Sequence, residues 1–275
     1  MSALIVSDID GTLIDSRERI PSAVKESLAA AQRAGVSFVV ATGRPARWIH
    51  PIIDQLYTPP TLCVCANGAV IYDPACDRIT HRRELSPNAM RTVVSVARET
   101  LSDLGGCGVG VERAGVSAHG MLGELFMVTP DFVHSWESSE HSTVELDQML
   151  ARPAVKLLLR NDALTSEQMH RLVAPVVPAD MANVTYSMPD GLLEVMHPGV
   201  NKSSALDVVA QDLGVDPADA IAFGDMPNDL EMIRWAGTGV AMGNACDQLQ
   251  RAADVVAPTN DQAGIAVVLR EWLQG

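Results

Sequence analysis

Both ends of this 275-residue chain alternate short apolar runs with helix-length amphipathic segments, and the middle does not. Near the N-terminus, residues 3–7 form an expected strand. A helix over 21–34 follows, with Val24, Leu28 and Ala31 on one face and Gly35 as its stop. Strands are expected at 37–41 and 62–66, with a further helix between them reaching about Leu56. The rhythm returns after His197-Pro198-Gly199: helix 202–213 stopped by Gly214, strand 220–223, helix 228–236 and strand 239–242. A short helix at 247–252, a strand at 254–256 and a last helix from about 262 complete it. Such alternation is satisfied by parallel strands whose crossovers cover both faces of a sheet. The expected class is therefore α/β, a doubly wound, Rossmann-like parallel sheet built from residues 1–84 and 191–275.

The middle follows other rules. Asn67-Gly68 separates two apolar runs by two residues, a hairpin signal, so antiparallel strands are expected at 70–72 and 78–82. Beyond them come a helix at 87–101, a glycine-rich stretch at 105–123, strands near 126–128 and 155–159, and a helix at 166–173. Residues 184–187 and 192–196 flank Pro189-Asp190-Gly191 as another hairpin. Residues 85–190 are thus expected to be an inserted α+β module. Five cysteines at irregular spacing indicate no disulfide framework. Cys63 and Cys65 fit small buried hydrophobes better than a metal or redox pair.

Charge narrows the function. No apolar run approaches membrane-spanning length, and the first residues lack a signal-peptide layout, so a cytoplasmic protein is expected. A net charge of −14 argues against nucleic acid or an anionic membrane as partner. It also means that a site for an anionic substrate must supply its own positive charge, from a metal, a Lys or Arg, or backbone N–H groups.

In a parallel α/β sheet, ligands bind beyond the carboxyl ends of the strands. Four segments place polar residues there. Asp8 and Asp10, in Leu4-Ile5-Val6-Ser7-Asp8-Ile9-Asp10-Gly11-Thr12, put two like charges one residue apart. That repulsion is offset by a cation between them, or by one acid acting as reagent and the other as its proton carrier. A strand-to-loop turn is the plainer alternative. Thr42-Gly43 offers a hydroxyl and an N–H to phosphate oxygens, or else a helix cap. Lys202 opposes the dipole of its own helix, which a nearby anion would explain; a solvated surface lysine is the alternative. In Gly224-Asp225-Met226-Pro227-Asn228-Asp229, Asp225 either caps a helix or binds metal, with Asn228 as a neutral donor and Asp229 as an orienting group behind it.

Taken in order, these four segments resemble the motifs of the haloacid dehalogenase superfamily of phosphohydrolases. Thr42-Gly43-Arg44-Pro45, Asn67-Gly68-Ala69, Gly239-Val240-Ala241-Met242-Gly243-Asn244-Ala245 and Thr259-Asn260-Asp261 extend the likeness to the Cof-like branch, which carries a large α/β cap. Ser203 departs from the glycine that often follows the lysine in that branch. The resemblance implies a Mg²⁺-dependent phosphatase acting on a small phosphorylated metabolite such as a sugar phosphate. Asp8 would be the nucleophile and Asp10 the general acid and base. Mg²⁺ would be held by Asp8, the main-chain carbonyl of Asp10, and Asp225. Thr42, Gly43, Lys202 and Asn228 would hold the phosphoryl group, with Asp229 behind them and Arg44 serving a partner acid or the substrate tail. The chain is expected to be a monomer or small homo-oligomer. A sugar phosphomutase is the alternative within the superfamily, and an inactive phosphometabolite-binding protein the alternative outside catalysis. His119, His134 and His141 are scattered loop histidines, expected to be structural or solvated.

Overall fold

The computed structural model describes residues 3–119, 125–133 and 141–273. The chain begins with β1 (Leu4–Ser7), β2 (Ser37–Ala41), β3 (Leu62–Cys65), β4 (Val70–Asp73) and β5 (Arg78–Arg82). It continues with β6 (Gly108–Glu112), β7 (Phe126–Val128), β8 (Ser142–Thr143), β9 (Lys156–Arg160), β10 (Asn183–Thr185) and β11 (Leu192–Met196). It ends with β12 (Ala220–Gly224), β13 (Thr238–Ala241) and β14 (Val255–Val256).

Two sheets result, of order β14-β13-β12-β1-β2-β3-β4-β5 and β10-β11-β9-β6-β7-β8. In the first, the pairs from β14 through to β3 are all parallel, and β3–β4 is antiparallel. The α/β class is thus as expected, as is the break in rhythm at Asn67-Gly68. In the second sheet the pairs are antiparallel except β7–β8.

The strands of the first sheet are near-continuous apolar runs because both faces are covered: Leu4, Ile5, Val6, Phe38, Val39, Val40, Ile221 and Phe223 are all fully buried. Antiparallel strands behave differently. In the second sheet Val109, Val111, Leu157, Leu159, Leu193 and Val195 alternate into one core with Val93, Val94 and Ala97 of the helix Pro87–Thr100 and Met169 and Val173 of the helix Ser166–Val173.

The chain divides into two compact units, residues 1–80 with 201–275, and residues 81–200. The second unit is wider than the 85–190 expected from sequence. Its sheet claims β11 through pairing with β9 and β10, and Leu85 bridges Ala154. The helix expected between β2 and β3 is also different. A single turn at Ala46–Trp48 and a short helix at His50–Ile53 replace it; Pro51 lacks the N–H that would bond back to Arg47 and carry the first turn into the second. No helix among the described residues is long and apolar enough to cross a membrane.

Candidate active site

Parallel pairing brings the carboxyl ends of β1, β2 and β12 to one edge of the first sheet. Asp8 leaves β1 with its N–H still donated to Phe223 O at 3.0 Å. The next residues make one wide loop turn, non-helical at Asp10 and Gly11, closed by Leu13 N–H to Asp8 O at 3.2 Å and Ile14 N–H to Ile9 O at 3.1 Å. Gly11 turns it at φ 74°, and a Cβ there would stand 2.3 Å from Asp225 Oδ2. Glycine is needed at this position for both reasons. Thr12 Oγ1 then donates to Asp225 Oδ1 at 2.8 Å, joining the first motif to the fourth.

Lys202 opens the helix Lys202–Leu213, which Asn201 caps by accepting from Ser204 N–H at 2.8 Å. Its side chain is fully buried, with Nζ 2.6 Å from Asp8 Oδ1 and 2.5 Å from Asp229 Oδ1. The surface-lysine alternative is therefore removed, and the anions that explain a cation at this helix start are present. Asp229 Oδ2 accepts from the N–H groups of Asp225 and Met226, both at 3.0 Å. Both Asp229 oxygens are thus engaged by the protein itself.

Asp8, Asp225 and Asp229 each offer an oxygen within 4.8 Å of the others. One ammonium faces three buried carboxylates. Burial pushes the Asp8 carboxyl well above the usual range; Lys202 opposes this, while Asp229 and Asp225 add to it. Burial and Asp229 push Asp225 up to about 7. For Lys202, burial acts to lower its pKa, but Asp229 and Asp8 outweigh it and hold the ammonium above its ordinary value. A group of hard oxygen donors of this kind suits a divalent cation such as Mg²⁺. Asp8 and Asp225 fit as its ligands better than Asp229, whose oxygens already accept three hydrogen bonds.

Thr42 is buried at the end of β2, and its Oγ1 accepts from Arg44 N–H at 3.1 Å, so it does close a turn. Arg44 grips the exposed Asp10 carboxylate with two nitrogens, Nε at 2.9 Å from Oδ2 and Nη2 at 2.6 Å from Oδ1. Of the two roles open to Arg44, the structure shows the partner acid. Asn228 Nδ2 donates to Asn67 Oδ1 at 3.0 Å. Asn228 Oδ1 is buried with no hydrogen-bond partner among the described residues.

Asn67 is a site residue to which sequence reasoning gave no role: Asn67-Gly68 was legible as a turn and as part of the family likeness, not as a side chain of the site. It is buried at φ 54°, with its N–H donated to Thr42 O at 2.9 Å. Its Oδ1 lies 3.2 Å from where a Cβ on Gly43 would stand. A signal did exist: like Asp8, Thr42 and Asp225, it is a polar residue at the carboxyl end of an apolar strand of the first sheet. Cys63 and Cys65 are buried in β3, as expected of small packing residues, and burial pushes the Cys63 thiol up. His141 meets the edge of Phe126, with ring centroids 6.3 Å apart; His134 lies outside the described residues.

The sequence profile of the haloacid dehalogenase-like hydrolases matches residues 5–269, and the chain belongs to that family. Among curated proteins it is 28% identical to the HMP-PP phosphatase of Cronobacter sakazakii, over 99% of this chain and 96% of that one. It is 26% identical to the 5-amino-6-(5-phospho-D-ribitylamino)uracil phosphatase YcsE of Bacillus subtilis, over 98% of this chain and 95% of that one. Among solved structures, the superfamily phosphatase BT1666 of Bacteroides thetaiotaomicron superposes with a TM-score of 0.81 at 24% identity, covering 99% of this chain and 95% of that one. The fold expected from the motifs is the fold of BT1666.

Proposed function

We propose that this protein is a Mg²⁺-dependent phosphatase that hydrolyses small soluble phosphomonoesters through an aspartyl-phosphate on Asp8. The observation that carries the reading is the buried Lys202 ammonium, shared between Asp8 and Asp229 at the strand ends. A lysine in that position fixes one Asp8 oxygen and supplies positive charge where a phosphate dianion must come despite the acidic surface. The named phosphatase activities of the relatives support the same reaction class.

In the first half-reaction, an Asp8 carboxylate oxygen forms a bond to phosphorus while the bond to the ester oxygen breaks. Asp10 gives its proton to the departing oxygen. In the second, Asp10 takes a proton from water, whose oxygen bonds to phosphorus and releases Asp8. Thr42, the Gly43 N–H, Lys202 and Asn228 hold the phosphoryl oxygens and stabilise the charge that spreads over them. Arg44 holds both Asp10 oxygens in the resting site and must let one go for Asp10 to reach the departing oxygen, while Asp229 fixes both Lys202 and the turn that carries Asp225. Mg²⁺, held by Asp8, Asp225 and the Asp10 carbonyl, would add positive charge at the phosphoryl group.

A panel of sugar phosphates, nucleotides and cofactor phosphates tests this. Phosphate release is expected from a subset of them, abolished by EDTA and restored by Mg²⁺. Full activity after rigorous metal removal would contradict the metal assignment, and no release from any ester would contradict the reaction.

A further inference from the structure

Two segments that the resemblance singled out have no part in the reaction as described: Asn244, after β13, and Asn260-Asp261, after β14. Both reach the turn that follows the nucleophile. Asn244 Nδ2 donates to Gly11 O at 2.8 Å, and Asn260 Nδ2 donates to Ile14 O at 2.8 Å. Asp261 Oδ1 accepts from Ser16 N–H at 2.8 Å. The two asparagines are themselves joined, since Asn244 Oδ1 accepts from Asn260 N–H at 3.0 Å. A box between Thr259 and Gln262 fixes the turn that presents Asn260 and Asp261.

Stability alone accounts poorly for this arrangement. Asn244 and Asp261 are exposed and Asn260 is half-buried, so water could satisfy the same backbone groups. Each exposed hydrogen bond would then contribute only about 1 kcal/mol. What the four bonds do fix is geometry. Asp10 lies between two anchored points, the Asp8 N–H held by Phe223 O and the Gly11 carbonyl held by Asn244. Arg44 restrains the Asp10 side chain. The asparagines restrain the backbone that aims it, together with Thr12, which holds Asp225.

We propose that Asn244, Asn260 and Asp261 are positioning residues, a clamp from the last two strand-end loops that sets where Asp10 delivers its proton. This rests on the role given to Asp10 above, so the test separates the two. Hydrogen exchange by mass spectrometry on the wild type, Asn244→Ala and Asn260→Ala reads the clamp without reference to activity. Exchange should quicken in peptides spanning residues 11–16 and stay unchanged in peptides from β12.

Kinetics then read the consequence. Turnover of an alkyl phosphate, whose leaving oxygen needs the proton, should fall about 10- to 100-fold. Turnover of p-nitrophenyl phosphate should fall less, and competitive inhibition by inorganic phosphate should not weaken. Asn244→Asp keeps the acceptor for Asn260 N–H but loses the donor to Gly11 O, and should behave as Asn244→Ala does. Unchanged exchange at 11–16, or equal losses on both esters, would overturn the clamp. A wild type inactive on both esters would instead overturn the proposed reaction, leaving exchange alone to judge the clamp.

Discussion

Two of this protein's lysines are buried, one in each unit, and both face carboxylates. Lys156 in β9 lies opposite Glu112 of β6 in the strand register and pairs with Glu194 of β11 at 3.2 Å. Lys202 lies between Asp8 and Asp229. The difference is where the sheets put them. An antiparallel sheet turns its loops to both ends, so the Lys156 pair sits within the ladder, between neighbouring strands. A parallel sheet turns every strand's carboxyl end the same way. Asp8, Thr42 and Asp225, distant in sequence, therefore collect at one edge, where a third carboxylate leaves the cluster around Lys202 short of positive charge. Under the proposed function, the first arrangement serves the fold and the second receives a ligand.

Removing each lysine should break the two arrangements in different ways. The larger effect is expected from Lys202→Met. Losing one preorganised electrostatic contact costs ~10²–10³ in turnover, and the variant should show that loss in kcat while its circular dichroism remains native. Near-normal kcat would mean that Lys202 serves only the fold. Lys202→Met also strands Asp8 and Asp229, so its denaturant midpoint should fall too; Lys156→Met should lower the midpoint alone. Stranding the buried Glu194 costs about 3–5 kcal/mol, read as a fall in the denaturant midpoint. The folded fraction should still turn over p-nitrophenyl phosphate at the wild-type rate. A large drop in that rate at full folding would erase the distinction between the two lysines. The smallest effect belongs to Cys63→Ala. It removes one small buried group at a cost of about 1 kcal/mol, with kcat unchanged and no reaction of the native thiol with Ellman's reagent. Rapid labelling of Cys63 in the folded protein would contradict its assignment to the core.

The parallel sheet was legible in the sequence because each of its strands is a short apolar run bounded by turn residues, and the carboxylates stand directly after such runs. Lys202 was legible by its place at a helix start, where a cation makes no sense for the helix alone. Asn67 was hidden because an Asn-Gly pair has a sufficient explanation as a turn, and only the fold shows its side chain meeting Asn228. Arg44 could be narrowed to two roles but not to one, since its partner Asp10 lies 34 positions away. The edge of the second unit was misjudged for a similar reason. β11 is apolar enough for either sheet, and only pairing with β9 assigns it.

The central claim is that Asp8 takes the phosphoryl group before water does. The stereochemistry of hydrolysis tests this directly, using a phosphorothioate monoester made chiral at phosphorus with two oxygen isotopes and hydrolysed in water that carries the third. Two successive in-line displacements, first by Asp8 and then by water, predict net retention of configuration in the released thiophosphate. Inversion would mean a single displacement by water, and would contradict the account.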